Sequence, residues 1–552
     1  MSEGTECSFR ATGQVELWDP WTGTTRPLRV RSQASDITRL RMPLTDKELQ
    51  LIVFSPGNAA MEPADAPAPS AASVVPLDGS WEFELKPTMD NRFGDFRWPP
   101  TPTMIGAEAR QFRYADETTP NPGWQNSSFD DSKWPKVTAS FGPKFWKLGP
   151  LPDPADTPAL EAQLANLKQV DPNVPVEVGG KKYLWQPYSF SWRWGIENDP
   201  GHQGYHGLKE DVHDEFIGLG KRQTNGTGTG YEKEEAGSRY YLWTSVNAGS
   251  NLQARAIVGG LNPAAAWLNQ KPLSRLPAPV GLNEGVNPVL LRYDNSGRGF
   301  FVIDTSASAE QIPMQAGTMA MSWFNKPGLL PFDTRPQTAR PAGWYRFTSP
   351  PGLRAMTIIA RGRVQAWADG REMSLTAGKS RDDGAYEFIA AVSKPAAAAV
   401  VVALRIEQDR GTYAGAALPE PMVLDCAVGQ TPLGDWTQQG VLECYSGGAW
   451  YRRTFSLTPD RTRGRVTLDL ANLSSSAEVR INGQTAGIRI APPWKFDITP
   501  LVKPGDNRVE VLVLSALGGH YTTIPTRYRG SRVSGLLGPV QVQTRRPSNP
   551  KD

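Results

Sequence analysis

The chain reads AWYRRTFSL at 449–457, VTLDLAN at 466–472, AEVRINGQTAG at 477–487, APPWKFDITPLVKPGDNRVEVLVLSAL at 491–517 and SGLLGPVQV at 534–542. Side chains of a strand alternate between two faces. Val466, Leu468 and Leu470 therefore share one face of a strand, and Ala477, Val479 and Ile481 share one face of the next. Asn482-Gly483 supplies the two positive φ angles that a type I′ hairpin turn requires. Pro504-Gly505-Asp506-Asn507 marks a second turn before Val509, Val511 and Val513. Short alternating strands closed by such turns predict a β-sandwich between Trp450 and Val540.

The same order of pieces occurs twice upstream. Trp344-Tyr345-Arg346-Phe347 leads to Val364-Gln365-Ala366-Trp367-Ala368-Asp369-Gly370, and Tyr240-Tyr241-Leu242-Trp243 leads to Ala265-Ala266-Trp267-Leu268-Asn269-Gln270. From aromatic residue to turn the spacing is 25 residues (Tyr345 to Gly370), 29 (Tyr241 to Gln270) and 32 (Tyr451 to Gly483). A fixed order at similar spacing predicts one module used three times, with Gln270 standing where glycine is expected.

At 552 residues the chain has room for roughly three to four domains. Lys and Arg total 59 against 56 Asp and Glu, and the charges are interspersed, which argues against a nucleic-acid partner. The 53 Gly, 49 Pro and 18 Trp fit loop-rich all-β domains. The fold class expected is all-β, with several jelly-roll or β-sandwich modules in tandem and a few short helices in insertions. Cys7, Cys426 and Cys444 are an odd number and cannot complete a disulfide framework. Cys426 and Cys444 could pair across a module boundary or remain as two free buried thiols. No segment approaches the ~18 to 20 continuous apolar residues of a membrane helix, so no membrane span is expected. Met1 to Gly13 lacks the basic start and apolar centre of a secretory signal.

Along the chain, Val15 to Trp18, Leu28 to Arg31 and Leu49 to Phe54 read as strands. Asn58 to Ser73, NAAMEPADAPAPSAAS, has the composition of a linker. Leu77-Asp78-Gly79-Ser80-Trp81-Glu82-Phe83 opens a strand, and Phe129-Asp130-Asp131-Ser132-Lys133-Trp134 follows about fifty residues on. One long insertion holds Thr157 to Val170, where Thr157 and Pro158 can cap a helix and Leu160, Leu164 and Leu167 fall on one face. Another runs from Tyr188 to Tyr231 and holds three of the four histidines. A (β/α)8 barrel needs about 250 residues with eight alternating helices, and no such alternation is present.

The pieces DGSWEF (78–83) and FDDSKW (129–134) resemble the start of the sugar-binding domains of glycoside hydrolase family 2. LWDPWTG (17–23), PTMDNRFGDFRWPP (87–100), FGPKFWKLGP (141–150), YSFSWRWGIENDPGHQGYHGLK (188–209), YSGGAWYRRTF (445–455) and SGLLGPV (534–540) extend the likeness. Together they resemble the C-terminal half of glycoside hydrolases similar to family 106, the α-L-rhamnosidase type. The resemblance implies that catalytic glutamates lie on a barrel preceding this region, so no catalytic residue carries over. It also implies a separate or missing catalytic barrel as partner, and full-length relatives that are periplasmic or extracellular. The implied division is an N-terminal sandwich remnant (1–57), a linker (58–73), an inserted galactose-binding-like sandwich (74–308), a second sandwich (309–425) and a C-terminal galactose-binding-like jelly roll (426–552).

Glycoside hydrolysis calls for two carboxylates about 5 to 9.5 Å apart. Glu82 with Glu84 fits the solvated face of a strand, and Asp90 with Asp95 fits turn capping. Glu197 with Asp199, in an aromatic loop, is the pair left as a catalytic candidate. The same loop brings Trp192, Trp194, His202 and His206 as a wall for a sugar pocket, while Gly201, Gly204 and Gly207 argue against the helix that a His-x3-His metal site needs. Trp494, His520, Tyr521, Arg527 and Tyr528 are the candidates for carbohydrate binding, since aromatic rings stack on sugar faces and Arg or His bonds hydroxyls. The alternative is that they cap the sandwich or pack against another domain. The expected ligand is a carbohydrate, a rhamnose-containing glycan by resemblance. The residues indicate no certain cofactor, and a structural calcium ion is possible in such modules.

Overall fold

Val466, Leu468, Leu470, Ala477, Val479 and Ile481 all enter one core, as the alternation requires. Their strands lie in the two facing sheets of a sandwich. One sheet runs Gly429–Pro432, Ser80–Lys86, Gly448–Leu457, Gly505–Leu514, Ser476–Ile481, Gln484–Arg489, and the other Lys495–Asp497, Arg465–Asp469, Gln541–Arg545, Ser73–Pro76. In the computed structural model the described residues are 5–42, 50–61, 73–92, 101–120, 122–152, 157–188, 191–192, 215–225, 228–305, 328, 330–335, 342–382, 384–409, 412–523 and 531–545.

Two further sandwiches repeat this plan. In the middle one a sheet runs Lys136–Thr138, Gln111–Asp116, Ala342–Thr348, Val401–Gln408, Gly362–Ala368, Arg371–Glu372. In the inner one the corresponding sheet runs Gln186–Tyr188, Phe145–Leu151, Arg239–Ala248, Gly285–Tyr293, Ala265–Leu268, Lys271–Pro272. The protein is thus all-β and built of sandwich modules, with a single α-helix, Thr157–Ala165, among the described residues.

The connectivity corrects the linear boundaries at 308 and 425. The opening strand Ser80–Lys86 pairs with Gly448–Leu457, and Gln111–Asp116 pairs with Ala342–Thr348. Each outer module is therefore interrupted by the next, and the three sandwiches are nested: outer (from Ser73, completed after Gly429), middle (from Glu108, completed by Cys426) and inner (Phe145 to Asp333). DGSWEF and FDDSKW consequently belong to different sandwiches. The pairing of β-strands depends on complementary edges and faces, not on closeness in sequence, which is why a linear reading misses it.

The repeat is visible in backbone detail. The hairpin turn takes two successive positive φ angles in every copy: Asn269-Gln270 (49° and 69°), Asp369-Gly370 (45° and 75°) and Asn482-Gly483 (52° and 80°). Gln270 adopts the angle that glycine takes in the other two. Asn287 and Asn507 brace that turn alike in the inner and outer copies, accepting from Asn269 Nδ2 at 2.7 Å and from Asn482 Nδ2 at 2.9 Å. One detail differs from the sequence alignment. Tyr345 and Tyr451 face their cores, but in the inner copy Tyr240 does so, while Tyr241 faces the opposite side. A one-residue slip moves every side chain to the other face.

The helix Thr157–Ala165 buries Leu160 and Leu164 against Trp146, Trp185 and Trp243, and its Glu161 is ion-paired with Arg292. Thr5–Phe9, Ile37–Met42 and Ser32–Ala34 form one three-stranded sheet, and Thr24–Pro27, Gln14–Asp19 and Leu51–Ser55 another, around Val15, Val30, Leu40 and Met42. Leu28 to Arg31 is not a strand there: Val30 makes only an isolated bridge to Met61. The Arg489 guanidinium, 4.5 Å from the Trp21 ring centre, joins this unit to the outer sandwich. Cys7, Cys426 and Cys444 are unbridged, and Cys426 and Cys444 are thiols pushed up in pKa chiefly by burial. No helix is long and apolar enough to cross a membrane among the described residues.

Candidate functional site

The three copies present the same sheet with three different far faces. Alternation sends Phe112, Tyr114, Tyr345 and Phe347 into the middle core, so Gln111, Arg113, Arg346 and Thr348 point away from it. In the inner sandwich that face carries Trp146, Trp243, Leu290 and Trp267, with Arg292 ion-paired to Glu161 of the helical insertion that roofs it. In the outer sandwich it is an ion-pair ladder: Arg452 meets Glu84 at 2.6 Å and Glu510 at 3.0 Å, and Arg508 meets Glu82 at 2.7 Å. In the middle sandwich the face opens into a cleft, of about 290 Å³.

The cleft has a wall, a floor and a back. The wall is the loop 123–134, held by Arg346, which is 1 % exposed. Its Nε donates to Asp131 at 2.8 Å, Nη1 donates to the carbonyls of Trp124 and Asn126, and Nη2 donates to the Phe129 carbonyl at 3.2 Å. Trp124, Phe129 and Trp134 pack together over it, with Trp124 and Trp134 ring centres 4.9 Å apart. The floor carries Gln111, Arg113 and Lys136. The back is the 3-10 turn Gly440–Cys444, which sets Glu443 3.0 Å from Lys136. Arg110, 2 % exposed, pairs with Glu108 at 2.7 Å. A second cleft, of about 470 Å³ beside Asp369 to Met373 and the 392–400 loop, has no aromatic wall.

Next to the wall, Trp344 stacks on Trp367 at 5.3 Å and donates to Glu117 at 2.7 Å. Glu117 also accepts from Arg405 Nε at 2.6 Å and Nη2 at 2.8 Å. The Arg405 hydrogen bond outweighs burial and holds the Glu117 carboxyl below its ordinary value of 4.5. A carboxylate depressed in the folded state contributes stability above its unfolded pKa and loses it as the pH falls through the folded one. Below pH 4.5 the melting temperature should therefore fall less steeply in Glu117→Gln than in the parent chain, a difference that a pH series of thermal melts would show.

Most of the residues singled out in the sequence lie elsewhere. Trp494 is 7 % exposed and belongs to the outer core, and its carbonyl accepts from the Leu470 amide. Its ring offers no face for a sugar, which corrects that expectation. His520, 4 % exposed, is likewise inside, its amide donating to Ser446 Oγ. Tyr521 is half-buried beside it, with ring centres 5.5 Å apart. These two flank the back of the cleft, since Thr522 donates to the Cys444 sulfur at 3.4 Å. Arg527, Tyr528, Trp194, Glu197, Asp199, His202 and His206 lie outside the described residues. Trp192 contributes its backbone to a two-residue strand paired with Glu215 and Phe216. No cluster of His, Cys, Asp and Glu fit for a metal ion occurs among the described residues. The calcium expectation thus gains no ligand set from them.

No protein-family model matches the chain. A stretch of 114 residues is 27 % identical to a putative beta-glucuronidase of Formosa agariphila, covering 19 % of this chain and 10 % of that protein. A solved rhamnosidase from Novosphingobium sp. PP1Y is similar over 59 % of this chain and 24 % of its own, at 16 % identity and a TM-score of 0.19. A beta-glucuronidase from an uncultured Clostridium sp. is similar over 22 % of this chain and 23 % of its own, at 21 % identity and a TM-score of 0.19. This chain thus spans a tenth to a quarter of the length of these proteins.

Proposed function

We propose that this chain is a non-catalytic carbohydrate-binding and scaffolding part of an α-L-rhamnosidase-like glycoside hydrolase of the family 106 type, and that the cleft of the middle sandwich is its sugar site. The reading rests on the make-up of the cleft. Sugar sites combine an aromatic wall with a few directed polar groups, and here Phe129 stands beside Gln111, Ser127, Asp131 and Arg113. The partial likeness to a putative beta-glucuronidase supports a carbohydrate-related role. A rigid sheet supports the floor, and a pinned loop supports the wall, so little ordering cost opposes binding.

Calorimetry against a glycan array, run beside a hydrolysis assay on aryl rhamnosides, tests the reading. The expected result is saturable glycan binding without turnover, weakened about tenfold (~1.4 kcal/mol) by Gln111→Ala or Phe129→Ala. Turnover that disappears in Glu197→Gln would instead make the chain a glycosidase in its own right. Binding that survives both cleft substitutions would move the sugar site elsewhere.

A further inference from the structure

We infer that the middle cleft selects an anionic saccharide, one bearing a carboxylate or a sulfate, and that Arg113 is the group that reads the charge. The inference rests on the cleft being the sugar site and adds the chemical class of its ligand. Strand register places Lys136, Arg113 and Arg346 directly opposite one another across three neighbouring strands. Like charges in directly opposed positions destabilise a sheet. A row of three cations is therefore a feature that stability alone disfavours.

The internal repeat provides the comparison. Starting from the shared Trp-Tyr-Arg of Trp344-Tyr345-Arg346 and Trp450-Tyr451-Arg452, the outer sandwich has Glu82 opposite Arg452, where the middle one has Arg113 opposite Arg346. On the other side Arg452 faces Glu510, whereas Arg346 faces Ala403. In the outer copy the row alternates in sign and is closed by its own ion pairs. In the middle copy arginine and alanine stand at those acidic positions, and the face there opens into the cleft.

Among the described residues, charge pairing within the cleft leaves one cation over. Arg110 is paired with Glu108, Lys136 with Glu443 and Arg346 with Asp131. Arg113 has no carboxylate partner among the described residues; its Nη1 donates to the Trp134 carbonyl at 2.7 Å. That bond fixes the guanidinium against the loop and leaves the rest of its donor fork for a ligand. A planar carboxylate matches such a fork in two-point fashion, and a sulfate oxygen pair can do so as well. Lys136, alongside, adds attraction, and the two acids of the lining, Asp131 and Glu443, are each engaged in an ion pair, with Arg346 and Lys136.

The test uses the full chain and an array of matched oligosaccharides: uronic acids, their methyl esters, sulfated galactosides and the unsulfated parents. The expected result is at least tenfold tighter binding of one charged series than of its neutral match. That preference should shrink as salt rises and vanish in Arg113→Gln, with Lys136→Gln reducing it where Arg113→Gln fails to fold. Which charged series wins separates a carboxylate ligand from a sulfate. Equal binding of charged and neutral forms would overturn the inference while leaving the sugar reading in place. A preference that persists in both variants would also overturn it. No binding to any member would overturn both.

Discussion

Arg346→Met is expected to destabilise the chain by about 3 kcal/mol, in the range for removing one partner of a buried ion pair, and to abolish glycan binding. The guanidinium is 1 % exposed and holds the loop by an ion pair to Asp131 and by donations to three main-chain carbonyls. Methionine fills much of the volume and supplies none of the donors, leaving the carboxylate and carbonyls to find water. The loop must then lift from the sheet, taking Phe129 off the cleft. Arg346→Lys should rescue little, because an ammonium on a flexible stem cannot aim at four acceptors spread around a plane. Urea titration followed by tryptophan fluorescence would read both effects, since Trp124 and Trp134 ride on the loop. A variant with unchanged midpoint would mean that the aromatic packing of Trp124, Phe129 and Trp134 holds the wall by itself.

The same arginine shows what the sequence reveals and what it conceals. The strands around Val466 and Ala477, the Asn482-Gly483 turn and the threefold recurrence follow from local rules of alternation and φ preference, and the structure shows each of them. The helix at Thr157 also follows, because Leu160 and Leu164 recur at helical spacing. Nesting does not follow, since nothing in Ser80 to Lys86 names Gly448 to Leu457 as its neighbour. The cleft is concealed for the same reason. Arg113, Lys136 and Arg346 are far apart in sequence and become a row only through strand register. A usable signal did exist: aligning the opening strands SWEFELK and QFRYAD by their core aromatics sets Arg113 where the outer copy has Glu82. Trp494 and His520 misled because aromatic residues in connecting segments cap sandwich cores as readily as they bind ligands.

Nesting leads to the second large expected effect, a truncation after Val428. It removes every strand that pairs with Ser73–Pro76 and Ser80–Lys86, so Trp81 and Phe83, each at most 1 % exposed in the intact chain, lose their core. Exposing a large side chain of this kind costs about 1.5–3 kcal/mol, and the outer module, lacking eight of its ten described strands, cannot recover it. The middle and inner sandwiches keep all their sheet strands, since Met422–Cys426 is retained. Among the described residues, the middle one loses only Val441 from its buried core, and with it the Gly440–Cys444 back of the cleft. Thermal melts should therefore show one cooperative transition lost and the others kept, and limited proteolysis should trim the stub at 73–92 first. Loss of all ordered structure would mean that the inner modules depend on the outer one. In that case nesting would set the order of folding as well as of sequence, with pairs such as Phe83 and Tyr451 having to close across two interposed modules before either became stable, a slow route because distant contacts carry the largest closure cost.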